Sequence, residues 1–188
     1  MNDKRPIVIG LSGASGILYG VRLLSTLKEL GRETHLVMTR TAEVTLAHET
    51  DLKVAAVQSL ASRCHAIGDL TAPLASGSFR TDGMIIAPCS VRTFSEIATG
   101  VTSNLLTRAA DVHLKERRPL ILMIRETPLH LGHLRRLAEL AEMGAIIAPP
   151  LPAFYARPTS FEEMIDHSLG RVLDLLGLDS GRVQRWGE

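Results

Sequence analysis

The sequence predicts an α/β fold in which one mainly parallel sheet is covered by helices on both faces. Three observations carry that expectation. Short apolar runs alternate with longer amphipathic segments along the 188 residues. The runs are apolar throughout rather than at every second position, as strands buried on both faces require. Glycine or proline punctuates nearly every junction. In such sheets ligands bind outside the carboxyl ends of the strands, so the loops after the strands are where function is sought.

The run "PIVIGL" (6–11) reads as the first buried strand. From Gly16 on, Ile17, Val21, Leu24, Leu27 and Leu30 recur at three and four residues, and Gly31 supplies a stop. "THLVMT" (34–39) is a second strand and "TAEVTLAHET" (41–50) opens a second helix. The stretch 51–81 is less regular and reads as a loop with a short helix. "GMIIAPCS" (83–90) is a third strand leading into a helix over 93–99. "SNLLTRAADVHLKERR" (103–118) is a further helix stopped by Pro119. "PLILMI" (119–124) is a fourth strand, "HLGHLRRLAELAEMG" (130–144) a helix with a glycine stop, and "AIIAPP" (145–150) a fifth strand. "TSFEEMIDHSLGRVLDLLG" (159–177) is the last helix, with Ser160 and Glu163 at capping-box spacing. Residues 1–188 are thus expected to form one domain around one core.

Composition narrows the function classes. Twenty-one Lys and Arg against twenty Asp and Glu, scattered along the chain, argue against a nucleic-acid surface. Cys64 and Cys89 stand far apart with no C-x-x-C context, so a disulfide framework is not expected. No apolar run approaches the ~20 residues of a membrane span. Lys4, Arg5 and the following apolar run resemble a signal peptide, but Arg22 and the helical pattern continue past any cleavage point. A cytoplasmic protein is expected.

Three strand-end loops gather polar residues. In "GLSGASG" the glycines allow close backbone approach, and Ser12 and Ser15 add hydroxyls beside a helix N-terminus, an anion seat. The spacing G-x-x-G-x-x-G is neither the dinucleotide fingerprint nor a Walker loop. The second strand ends in Thr39 and Arg40 rather than the acid that holds an NAD ribose; Arg40 leaves an NADP reading open. In "APCSVRTFSEIATG", Ser90 and Thr93 stand where strand gives way to helix and serve either as caps or as ligand donors. Cys89 reads as buried filler. In "IRETPLHLGH", Arg125 and Glu126 follow five apolar residues, either as functional charges or as a structural ion pair. His130 and His133, one helical turn apart, offer two metal ligands without a third. The proline-rich "PPLPAFYARP" restrains Phe154, Tyr155 and Arg157, which suits an anionic ligand with an apolar part or a packing loop.

Together these clusters resemble the UbiX-type flavin prenyltransferases. The resemblance runs from "IVIGLSGASGILYGVRLL" to the final "RWG", through "ETD", "ASGSF", "PCSVRT", "LLTRAADVHLKERRPL", "RETPLHLGHL", "PAFYARP" and "RVLDLLGL". It implies a flavodoxin-like three-layer sandwich, a homo-oligomer, specifically a dodecamer, and FMN bound between subunits. The implied reaction joins a dimethylallyl group from dimethylallyl phosphate to N5 and C6 of reduced FMN, without metal. Its product, prenylated FMN, serves a UbiD-type decarboxylase in ubiquinone synthesis or aromatic-acid breakdown. By motif, Gly13, Ala14, Ser15, Thr39, Ser90, Val91, Arg92, Thr93 and Arg125 are implied to contact FMN. Lys115, Arg125, Tyr155 and Arg171 are implied to hold dimethylallyl phosphate. Glu49 and Glu126 match active-site acids, Ser15 is placed near flavin N5, and Lys115 joins them in catalysis. Leu70 stands where some members have an aromatic. The rival readings are a flavin-dependent cysteine decarboxylase, whose asparagine is here Arg92, and a non-catalytic FMN-binding subunit of a decarboxylase.

Overall fold

The computed structural model describes residues 4–187. Six parallel strands form one sheet: β1 (Ile7–Leu11), β2 (Thr34–Met38), β3 (Arg63–His65), β4 (Gly83–Cys89), β5 (Leu120–Ile124) and β6 (Ile146–Ile147). Their order is β3-β2-β1-β4-β5-β6. The chain therefore starts at the centre, winds to one edge, then returns and winds to the other. The direction reverses between β1 and β4, and their carboxyl ends open the crevice where ligands bind in this architecture. Seven helices cover the sheet: α1 (Ile17–Glu29), α2 (Arg40–Glu49), α3 (Val54–Gln58), α4 (Val91–Ala98), α5 (Leu105–Lys115), α6 (Leu131–Glu142) and α7 (Phe161–Asp174). None of the described helices is long and apolar enough to cross a membrane.

Every strand but β3 feeds two cores at a period of two. Ile7, Ile9 and Leu11 pack with Leu23, Leu24 and Leu27 of α1 and with Leu169, Val172 and Leu173 of α7. Val8 faces the other way, beside Met84, Ile86, Leu120 and Leu122, against Phe94 of α4, Leu105 and Leu106 of α5 and Leu140 of α6. Every residue of β4 is buried. This explains why the central strands read as unbroken apolar runs.

The structure corrects the sequence reading in four places. The segment 51–81 holds the expected short helix, α3, but also an edge strand, β3. Its residues Arg63, Cys64 and His65 are too few and too polar to show a strand pattern. The strand is held by backbone pairing with β2 and by His65, whose Nε2 lies 2.9 Å from His35 Nδ1 with the rings stacked. The sheet thus has six strands rather than five, and the last, β6, is only two residues long. α5 ends at Lys115, four residues before Pro119, because Arg117 turns left-handed at φ 53°. Ser160 accepts the Glu163 N–H at 3.1 Å as expected, but the Glu163 carboxylate turns to the Thr159 N–H and hydroxyl, so the box is only half formed.

The run "KERR" has a structural component. Arg118 donates to the carbonyls of Gly77 and Phe79 at 2.5 and 2.6 Å, and Arg108 donates to that of Ala75 at 3.1 Å. Together they pin the "ASGSF" loop to α5 and the turn that follows it. Beneath it, His113 is buried, its Nδ1–H donating to the Ala109 carbonyl at 2.7 Å and its Nε2 accepting from the Thr81 hydroxyl at 2.8 Å. Burial, helped by the Arg118 charge and opposed by the Ala109 hydrogen bond, lowers its pKa to about 4. Between pH 6.5 and about 4 the unfolded chain takes up a proton here that the folded chain refuses, so stability falls as pH falls through that window. The expected loss is about 3 kcal/mol at ~1.4 kcal/mol per unit. Urea unfolding of the His113→Gln variant is expected to show a flatter pH dependence between pH 4 and 6.5; an unchanged slope would assign the acid sensitivity elsewhere.

Candidate functional site

A cleft of about 590 Å³ opens at the carboxyl ends of the central strands, within the range of about 300–1,000 Å³ common for ligand sites. Gly13, Ala14 and Ser15 enter it after β1, Thr39 after β2, Ser90, Val91, Arg92 and Thr93 after β4, and Arg125 and Glu126 after β5. The parallel topology brings these distant loops together because every strand ends on the same side.

The first loop differs from its expected role. Ser12 is fully buried and does not line the cleft. Its hydroxyl donates to the Pro88 carbonyl at 2.8 Å and accepts the Ser90 N–H at 2.8 Å, so it ties the two central loops together. The N-terminus of α1 is already occupied. Gly16 sits at φ 91° with no side chain of its own to cap the helix. Glu49, from the far end of α2, accepts the Gly16 and Ile17 N–H groups, each at 2.9 Å. Burial pushes the Glu49 carboxyl upward, but hydrogen bonds from Ser15, Ile17 and Gly16, with the Arg125 charge, outweigh it and hold its pKa below the ordinary value. The anion seat read from "GLSGASG" is therefore filled by the chain's own carboxylate.

A second helix terminus in the cleft is that of α4. Ser90 caps it, accepting the Thr93 N–H at 3.3 Å, and the two hydroxyls lie 3.0 Å apart. The N–H groups of Val91 and Arg92 have no acceptor within the helix and remain for a ligand. A helix dipole aimed the same way favours negative charge there. Thr39 caps α2 through the Ala42 N–H at 3.1 Å and lies 3.0 Å from the Thr41 hydroxyl. Gly13 is required opposite them, because a Cβ would overlap the Thr41 side chain.

Arg125 and Glu126 are exposed and do not pair with each other, which removes the structural ion-pair reading. Among the described residues the Arg125 guanidinium has no hydrogen-bond or ion-pair partner and acts on Glu49 through its field. Glu126 accepts the Thr127 N–H at 2.9 Å. Arg92 donates through Nε to Glu96 at 2.8 Å, and Glu96 also receives the Ser103 hydroxyl at 2.6 Å.

The other expected residues stand apart within one chain. Tyr155, in a 3-10 turn over Phe154–Ala156, and Arg171, on α7, line a second cleft of about 310 Å³ beside the proline-rich loop. Lys115 lies at the C-terminal end of α5, by the amino end of β5, pairing with Glu116. That is the opposite end of the sheet from Ser15 and Glu126. The histidine pair is also reassigned. His130 Nδ1 accepts the Gly132 and His133 N–H groups and caps α6, and its ring stacks on His133, so that nitrogen is not free for a metal. Among the described residues no group of three His, Cys, Asp or Glu is placed to hold a metal ion. Cys89 is fully buried, and burial pushes its thiol far up, consistent with filler.

The sequence reading placed Arg40 at this end of the second strand but missed Thr41, Ile67, Glu96 and Asn104 in the cleft wall. Glu96 was accessible as the i+4 partner of Arg92. Asn104 was accessible as the N-cap before an apolar pair. Ile67 carries no local signal, since it is placed by its carbonyl accepting the Leu105 N–H at 2.8 Å.

The chain matches the Flavoprotein family over residues 1–173. It is 53% identical to the flavin prenyltransferase UbiX of Thauera aromatica over 180 residues, covering 96% of this chain and 93% of that protein. AnUbiX (PadA1), solved in complex with FMN and dimethylallyl pyrophosphate, superposes with a TM-score of 0.97 at 49% identity, over 98% of each chain. A dodecameric FMN-dependent UbiX-like decarboxylase from Escherichia coli O157:H7 superposes with a TM-score of 0.95 at 43% identity, over 97% of this chain and 100% of the other. With that likeness over nearly its whole length, the chain belongs to the UbiX flavin prenyltransferase family.

Proposed function

We propose that this flavin prenyltransferase moves a dimethylallyl group from dimethylallyl phosphate to N5 and C6 of reduced FMN, without a metal. The observation that carries the reading is a cleft with two free anchors: the open N–H groups of α4 and the unpaired Arg125 beside Glu126. The residues present fit FMN. Ser90, Thr93 and the Val91 and Arg92 N–H groups suit its phosphate, with the Thr39 hydroxyl opposite, and the small residues Gly13 and Ala14 leave room for a flat ring. Reduced FMN, when bound, supplies the nucleophilic nitrogen and carbon that receive the prenyl group.

The chain's own residues do the rest. Lys115, Arg125 and Arg171 stabilise the charge that grows on the departing phosphate, and the Tyr155 hydroxyl donates to it. Glu126 provides a route for the proton that phosphate takes up. Glu49 holds Ser15 by a hydrogen bond and, through the start of α1, fixes where its hydroxyl meets the flavin. Because Lys115 stands at the far end of its own sheet, the complete site draws it from a second copy of the chain. The dodecamer of the Escherichia coli neighbour supports a single-domain subunit that assembles the same way. The product passes to a UbiD-type decarboxylase, and the enzyme works in the cytoplasm. Arg92, where cysteine decarboxylases use asparagine, disfavours that chemistry. A non-catalytic subunit would not need the phosphate set.

The test is anaerobic: purified protein, reduced FMN and dimethylallyl phosphate or pyrophosphate are mixed and the flavin is weighed by mass spectrometry. A flavin heavier by one prenyl unit is expected; unmodified flavin with both donors would sink the reading. Glu126→Gln is expected to slow turnover by ~100-fold or more with the dissociation constant for FMN unchanged. Loss of FMN binding in that variant would place Glu126 in the flavin site instead.

A further inference from the structure

The segment 182–186 lies along α7, meeting Tyr155 of the second cleft directly and Arg171 through a shared carboxylate, Asp174. Val183 packs on Gly170, where any Cβ would overlap it. The Gln184 carbonyl lies 3.3 Å from His167 Nε2, and the Trp186 ring meets Tyr155 edge-on at 5.1 Å. Arg185 makes two bonds to Asp174, both at 3.1 Å, and Asp174 also receives Arg171 Nη1 at 2.7 Å. One carboxylate, 17% exposed, thus serves two guanidinium groups.

The shared carboxylate gives this arrangement a purpose. If Arg171 were the sole partner of Asp174, turning toward a phosphate would strand a largely buried carboxylate. With Arg185 on the same carboxylate, Arg171 can turn toward an anion while Asp174 keeps its two bonds to Arg185.

We propose that Asp174 and Arg185 are positioning residues for Arg171, holding its guanidinium at the cleft and leaving its charge available to the phosphate of the prenyl donor. The proposal rests on the reading that Arg171 binds that phosphate.

The experiment measures the Michaelis constant for dimethylallyl phosphate and the dissociation constant for FMN in the assembled enzyme. Arg171→Met and Arg185→Met are each expected to raise the donor constant about tenfold, the order for one partly exposed charge against phosphate, with FMN affinity unchanged. Arg185→Lys keeps the charge and is expected to restore the donor constant to within about twofold. A raised constant in Arg171→Met with a normal one in Arg185→Met would overturn the positioning role while leaving the reading of Arg171 intact. So would equal defects in Arg185→Met and Arg185→Lys, or a matching loss of FMN affinity, which would mark Arg185 as structural. A normal donor constant in Arg171→Met would overturn the reading of Arg171 and the proposal with it.

Discussion

Mixed oligomers of two inactive variants, Lys115→Met and Arg125→Met, are expected to regain activity that neither parent has. Each variant alone should lose ~100–1000-fold in turnover, the usual consequence of removing one fixed charge from a developing anion. Arg125 stands at the carboxyl end of β5 and Lys115 at the amino end, so one chain cannot bring them together. In a co-assembled oligomer, a cleft with intact Arg125 comes from a Lys115→Met subunit and needs its lysine from an Arg125→Met neighbour. Random mixing makes about one site in four complete, and turnover near that fraction of wild type is the expected result. If the mixture stays as inactive as its parents, the two residues serve the same subunit or Lys115 does not serve the reaction. Both variants should fold: Arg125 has no direct partner to strand, and the partner of Lys115, Glu116, retains Arg118 at 3.9 Å.

Gly20→Ala is the substitution expected to damage the fold most. Gly20 lies on the buried face of α1, and a Cβ there would overlap the Leu11 side chain and the Ala87 carbonyl oxygen. Leu11 ends β1 and the Ala87 carbonyl belongs to the β4 backbone, so the obstruction includes the sheet itself and not a movable side chain alone. α1 must lift, and overpacking of that kind costs about 1–3 kcal/mol or more. Alanine's helix propensity returns up to ~1 kcal/mol. A net cost of about 2 kcal/mol is expected to lower the thermal midpoint by about 4–8 °C, at roughly 2–4 °C per kcal/mol for a chain of this size. The displaced α1 also carries Gly16 and Ile17 away from Glu49, so flavin affinity should fall with stability. A midpoint equal to wild type would show that α1 can shift on the sheet at no cost.

The layered fold was legible because burial on both faces writes itself into sequence as continuous apolar runs; β1, β4 and β5 show them, and β2 does over Leu36–Met38. β3 was not, because three polar residues gain their strand geometry from β2 and from a histidine contact, neither of which leaves a local pattern. The strand-end loops were legible as places. The motif resemblance carried Gly13 to Ser15, Ser90 to Thr93, and Arg125 with Glu126 to one cleft, and the parallel topology delivers them there. Roles inside the loops were harder to read. Ser12 and Ser15 look alike in "GLSGASG", yet one is buried and the other lines the cleft, a distinction set by Pro88 and Ser90, 76 and 78 residues away. The capping of α1 by Glu49 is equally remote, 32 residues from the N–H it accepts. Spacing reports what is near along the chain; it cannot report which donors a distant acid has already taken.

The Ser12 hydroxyl has a consequence for how the cleft keeps its width. That oxygen, buried away from the cleft, sets the gap between the loop after β1 and the loop after β4, together with the Ser12 N–H, which donates to the Pro88 carbonyl at 3.3 Å. It works as a gauge block between two jaws. The jaws can differ in every residue that faces the flavin and still close to the same opening, as long as that oxygen stays between them. Size is thus inherited separately from chemistry, and a pocket of this kind can change what it reacts with while continuing to fit the same flat ring.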